Sequence, residues 1–142
     1  MSSLRTNNPN CFNVAHVNIQ SVPSHYSDLL ASINSAHLDA LLISESFLKP
    51  SLPSTQFSLP GYVLIRNDRI GKGCGGVAIY LRHDISHKII CNSPPLYSES
   101  AEFLFLELVL NHTPILLAVF YIPNMHVDYF ETLEGLLSDW LN

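Results

Sequence analysis

Apolar and polar positions change period several times along the chain, and each change marks an element. Between Phe12 and Ile19, Phe12, Val14 and His16 alternate with Asn13, Ala15 and Val17, the period of two that a strand requires. Pro23 and Ser24 interrupt this run. Leu29, Leu30 and Ile33 then recur at helical spacing, which predicts an amphipathic helix over Tyr26 to Ala36 packed on the first strand. Asp39 to Ser44 carries a short continuous apolar run, the pattern of a strand covered on both faces. Together these segments predict a strand, helix, strand unit.

Lys49 to Gly61 holds three prolines and three serines, which predicts a surface loop leading to a strand at Tyr62 to Arg66. Gly71-Lys-Gly-Cys-Gly-Gly76 separates that strand from Val77-Ala-Ile-Tyr-Leu81, so the two are expected to form a hairpin. Ile85 to Cys91, Ala101 to Leu110 and Ile115 to Tyr121 supply three further strands, the last two joined by the short turn Asn111-His-Thr-Pro114. Helical spacing returns from Val127 to Leu141, with Phe130, Leu133, Leu136, Leu137 and Trp140 on one face. Asp128 with Glu131 three residues on has the form of a capping box. There is no internal repeat and no low-complexity segment.

A chain of 142 residues with 47% hydrophobic residues and a mean hydropathy of +0.20 can bury a core, which argues against disorder. One domain, or most of one, is expected over residues 12–142, after a polar tail at 1–11. The formal net charge of -5 excludes a basic body that holds nucleic acid by charge alone. Any such contact must be local, and Arg66, Arg69, Lys72 and Arg82 do fall in one window around the glycine-rich segment. Cys11, Cys74 and Cys91 are odd in number and widely spaced, the usage of a reduced intracellular chain. The polar start lacks the apolar core of a secretion signal. Without such a signal, the Asn111-His-Thr113 glycosylation pattern reads as a chance match. The longest apolar run, Ile115 to Ile122, is far short of the about 20 residues that span a bilayer, so no membrane association is expected.

Two motif matches dissolve on their context, and a third motif is absent. Gly71-x-Gly73-x-x-Gly76 satisfies the dinucleotide fingerprint in letters, but that fingerprint needs a helix N-terminus to receive the pyrophosphate, and a strand follows here. His83 and His87 are four apart, yet Asp84-Ile-Ser86 between them offers neither the Glu of a zinc helix nor a helical setting, so both are expected at the surface. No G-x-S-x-G nucleophile elbow is present.

More informative is Ala40-Leu-Leu-Ile-Ser-Glu-Ser-Phe-Leu48, where Glu45 stands at the end of the apolar run, after an earlier strand that ends at Asn18. A carboxylate fixed at a sheet rim is what a hard divalent cation requires. Alone, such a pair reads equally well as a turn-forming Asn and a solvated Glu. The ordered series His16-Val-Asn-Ile-Gln-Ser21, Ile43-Ser-Glu-Ser-Phe-Leu48, Gly61-Tyr62, Arg66-Asn-Asp-Arg69, Gly75-Gly-Val-Ala-Ile-Tyr80 and Phe120-Tyr-Ile-Pro-Asn124 carries more weight. It resembles the N-terminal part of the endonuclease/exonuclease/phosphatase superfamily, most like the apurinic-type endonuclease domain of non-LTR retrotransposons. The resemblance runs from about Phe12 to Asn142.

This resemblance implies an α/β (α+β) fold: an incomplete four-layered sandwich of two mainly antiparallel sheets flanked by helices. It implies a phosphodiester hydrolase that uses magnesium or manganese. Glu45 would ligate the metal, Asn18 would place phosphate and metal-bound water, and Tyr121 would donate a hydrogen bond to the phosphate as charge develops. Asn124, Arg66 and Arg69 would contact DNA. The segments Asn18-Ile-Gln-Ser21 and Tyr121-Ile-Pro-Asn124 depart from the Asn-Arg and Tyr-x-Pro-Pro forms common among relatives. A larger departure is that the family's G-D-x-N and S-D-H elements, which supply the remaining catalytic Asp, Asn and His, are nowhere in the sequence.

The expectation is therefore a fragment of a DNA-nicking endonuclease, inactive alone, whose intact parent would act in the nucleus and use the freed 3' hydroxyl to prime reverse transcription. Two rivals stand beside it: a non-catalytic remnant or interaction protein, and a small-molecule phosphodiesterase or phosphatase of the same superfamily. The oligomeric state is not encoded in these patterns.

Overall fold

The computed structural model describes residues 11–123 and 128–142. The elements are β1 (Val14–Asn18), α1 (Val22–Ala36), β2 (Ala40–Ser44), a single 3-10 turn (Ser54–Phe57), β3 (Tyr62–Asn67), β4 (Val77–Arg82), β5 (His87–Asn92), β6 (Glu102–Leu110), β7 (Thr113–Tyr121) and α2 (Asp128–Leu141). Two sheets result, one ordered β1-β2-β4-β3 and one ordered β5-β6-β7. Only β1 and β2 run parallel, joined by α1 as the strand, helix, strand pattern predicts; the other described pairs are antiparallel.

Alternation along the strands divides the apolar side chains between two cores. Leu41, Ile43, Ala78 and Tyr80 face α1, where Val22 and Ile33 meet them together with Phe57 and Leu59 from the long loop. Ala40, Ile65, Val77, Ile79 and Leu81 face Leu104, Leu106, Leu108, Leu117 and Val119 of the second sheet. The odd-numbered positions of β6 take that sheet's other side, where Trp140 of α2 donates through Nε1 to Glu107 at 3.2 Å. Helix, sheet, sheet, helix are the four layers of the expected sandwich.

Three expectations need correction. The first helix starts earlier than the expected Tyr26: α1 begins at Val22, with Pro in its first turn and Ser21 as the cap, its hydroxyl accepting from the Ser24 N–H at 3.1 Å. Proline is tolerated in a first turn because the N–H it lacks has no partner there. Lys49 to Gly61 is not wholly a surface loop, since Phe57 and Leu59 plug the helix-side core. The turn after β6 is shorter than expected. Asn111 and His112 both have positive φ, +50° and +64°, and Leu110 pairs with Thr113, so two residues close the hairpin and Pro114 lies within β7. That geometry matches the right-handed twist of the flanking strands, and proline is acceptable on an edge strand. His83 and His87 are exposed, as expected. The capping role of Asp128 and the placement of Phe130 lie outside the described residues.

Candidate functional site

The end of β2 turns sharply into the following loop. Glu45 has a φ of +54° and Phe47 of +57°, conformations that side chains other than glycine adopt at a cost. Backbone hydrogen bonds hold the segment on both sides: Ser21 N–H donates to the Glu45 carbonyl at 3.1 Å, Ser46 N–H to Gly76 at 3.0 Å and Phe47 N–H to Gly75 at 2.9 Å. Val22 N–H closes the set by donating to the Ser46 carbonyl at 2.8 Å. Gly76 must be glycine, because its φ is +87° and a Cβ there would stand 2.6 Å from the Ser46 hydroxyl.

Opposite this turn, β7 ends at Tyr121. Its hydroxyl donates to Glu45 Oε1 at 2.5 Å, so the rims of the two sheets touch through these side chains. Burial first, and the bond to Glu45 second, push the Tyr121 phenol up to about 12, which keeps it a neutral donor at physiological pH. Asn18 pairs in parallel register with Ser44, one residue before Glu45, and is exposed. Asn18, Glu45 and Tyr121 thus lie at neighbouring strand ends. Asn124 lies outside the described residues.

The two arginines singled out in the sequence are turned inward. Arg66 binds Asp68 through Nε and Nη2 at 3.0 and 2.6 Å, and donates to the carbonyls of Leu52 at 2.7 Å and Lys49 at 2.8 Å. It ties the long loop to β3 and is not brought to the rim pair. Arg69 is nearly buried and forks onto Glu102, Nε to Oε2 at 3.1 Å and Nη2 to Oε1 at 2.8 Å. Its remaining nitrogen donates to the Gly73 carbonyl at 3.1 Å, and its guanidinium lies over the Tyr97 ring at 4.8 Å.

Sequence reasoning did not find Glu102. It is the register partner of Tyr121 across β6 and β7 and accepts from Gly76 N–H at 3.4 Å. A charged residue at the first position of a mainly apolar strand was the available signal. Lys49 was missed as well: its ammonium donates to the carbonyls of Arg69, Lys72 and Cys74 at 3.2, 3.4 and 3.2 Å, pinning the glycine loop.

Whether these residues suit a magnesium or manganese ion turns on the donors they offer. Such an ion keeps several waters and takes only one or two protein carboxylates together with substrate phosphate. Glu45, with Asn18 on the adjoining strand end, offers one carboxylate and one amide of the kinds that demand calls for. No group of three or more His, Cys, Asp or Glu side chains converges among the described residues.

No protein-family model and no curated protein matches the sequence at a significant level. Solved structures do match the fold. An AP endonuclease from Leishmania major superposes with a TM-score of 0.65 at 14% identity, covering 92% of this chain and 47% of that one. TDP2 of D. rerio, complexed with single-strand DNA product, gives 0.62 at 14%, with 92% and 55% covered. The human Nocturnin catalytic domain with bound sulfate gives 0.62 at 14%, with 89% and 59% covered. This chain spans about half the length of those structures and shares the fold of that half.

Proposed function

We propose that this chain is the N-terminal part of a metal-dependent phosphodiester hydrolase of the endonuclease/exonuclease/phosphatase type that acts on DNA. The observation that carries the reading is the meeting of Glu45 and Tyr121 at the rim, with Asn18 on the adjoining strand end. A strained, fully braced turn that presents one carboxylate is the arrangement of a preorganised site rather than of a solvated surface Glu. AP endonucleases and a DNA-bound TDP2 among the similar folds support the substrate class.

In this reading Glu45 anchors the cation and the Asn18 amide holds phosphate. A magnesium or manganese ion bound there supplies Lewis-acid charge at the phosphate. Tyr121 has a single O–H, given to Glu45 in this structure, so carboxylate and phosphate compete for it. The residue that would take the proton from attacking water has no candidate among the motifs of this sequence, and the chain alone is therefore inactive.

The ordered motif series supports the finer reading, an endonuclease domain of a non-LTR retrotransposon that nicks its target in the nucleus. Manganese titration tests the site: wild type should bind one ion and Glu45→Ala none, and equal binding by both would sink the assignment. Supercoiled plasmid with magnesium should stay intact, whereas nicking that vanishes in Glu45→Ala would overturn the inactivity. For the retrotransposon origin, DNA beyond the Asn142 codon should encode Gly-Asp-x-Asn, then Ser-Asp-His, then reverse transcriptase. Lack of all three in every frame would favour the non-catalytic remnant.

A further inference from the structure

Glu45 is held from two directions. Its backbone is fixed by the glycine loop, through Ser46 N–H to Gly76 and Phe47 N–H to Gly75. Its side chain is fixed by Tyr121. Both supports run through one ion pair. Arg69 crosses the loop so closely that a Cβ on Gly75 would stand 2.2 Å from its Nε and Cζ. Glu102, which receives both prongs of the Arg69 fork, accepts from Gly76 N–H and sits beside Tyr121 on the next strand.

We propose that the Arg69–Glu102 pair positions the Glu45 carboxylate, holding the glycine loop on one side and the end of β7 on the other. The inference deepens the proposed function, resting on the reading of Glu45 as the cation's ligand. Stability gives a poor account of the pair. A buried ion pair costs its desolvation, and replacing both partners with apolar residues of similar volume is often neutral or stabilising. What a forked arginine–carboxylate contact adds is fixed geometry, and here that geometry joins the two sheets where Glu45 and Tyr121 meet. Residues that orient a metal ligand in this way are worth about 10–100-fold in metal affinity.

The test uses the whole chain, isotope-labelled, with manganese as the probe and the Tyr121 hydroxyl proton as a second readout, assigned by its loss in Tyr121→Phe. Arg69→Lys keeps the charge but not the fork, and Glu102→Gln keeps the shape but not the charge. Each should remain folded, lose the Tyr121 hydroxyl signal and bind manganese about 10–100-fold more weakly. Folded variants with the signal and the affinity of wild type would overturn the proposal. If either single variant unfolds, Arg69→Met with Glu102→Leu removes the pair without leaving a lone charge. That double variant should fold and lack the signal, and either its failure to fold or a retained signal would show a merely structural pair. Should wild type bind no manganese, the reading of Glu45 as ligand fails while the Tyr121 signal still decides the positioning role.

Discussion

The Tyr121 hydroxyl and the Glu45 carboxylate, 76 positions apart in sequence and carried by different sheets, meet at 2.5 Å. Because the acceptor carries the charge in this hydrogen bond, Tyr121→Phe should cost more than loss of a neutral pair, about 1.5–3 kcal/mol. Urea unfolding measures it. In a Glu45→Gln background the same substitution should cost about half as much, since the neutral amide is the weaker acceptor. Equal losses in both backgrounds would mean that the contact contributes nothing specific.

How much of this site the sequence carries depends on the range of each interaction. Glu45 and Tyr121 are legible because each ends an apolar strand pattern, and strand ends collect at the rims of sheets. Their direct contact is not legible, because it depends on how one sheet lies over the other. The inward turn of Arg69 was hidden for the same reason, since Glu102 belongs to the second sheet, whereas that of Arg66 depends on how the long loop folds back on β3. Two cations beside a glycine loop look like a ligand surface until Asp68 and Glu102 are folded against them. The start of α1 is a different kind of miss. Ser21 followed by Pro23 is a local signal of a cap and first turn, and it was present in the sequence.

Gly75 and Gly73 make a matched pair for testing the loop. Gly75 has a φ of +68° and no room for a Cβ against Arg69, whereas Gly73 has nothing within 4 Å. Gly75→Ala should therefore lose about 2 kcal/mol or more, combining left-handed strain with displacement of the guanidinium. Gly73→Ala should stay within about 0.5 kcal/mol of wild type, as surface substitutions usually do. Comparable losses in denaturant midpoint would refute the close approach of Arg69.

Arg66 separates a structural from a DNA-contacting role. Its removal leaves Asp68, whose side chain is 11% exposed, without its bidentate partner and frees two loop carbonyls. Arg66→Ala should cost about 3 kcal/mol or more, the scale for breaking one partner out of a buried pair. Arg66→Ala with Asp68→Ala should recover part of it. Thermal melts of the three proteins decide the matter, and an Arg66→Ala protein as stable as wild type would return that side chain to the list of free cations.

Alkali should unfold this protein through its tyrosines, and the sign follows from where their protons are held. Burial raises the pKa of Tyr80, which is fully buried and donates to the Phe57 carbonyl at 2.7 Å. Burial, with the nearby Asp39 charge adding to it, also raises Tyr62, which donates to the Leu38 carbonyl at 2.5 Å. Below the ordinary value of 10.0, both folded and unfolded chains keep these protons and the stability is intact. Above it the unfolded chain releases them first, so stability falls with rising pH until the folded groups also ionise. Tyr80→Phe should lower stability near neutral pH by about 1 kcal/mol for the lost hydrogen bond. It should also flatten the decline above pH 10, because one proton fewer is at stake. Urea midpoints between about pH 8 and 11 would show this as converging curves, whereas parallel curves would remove Tyr80 from the alkaline transition.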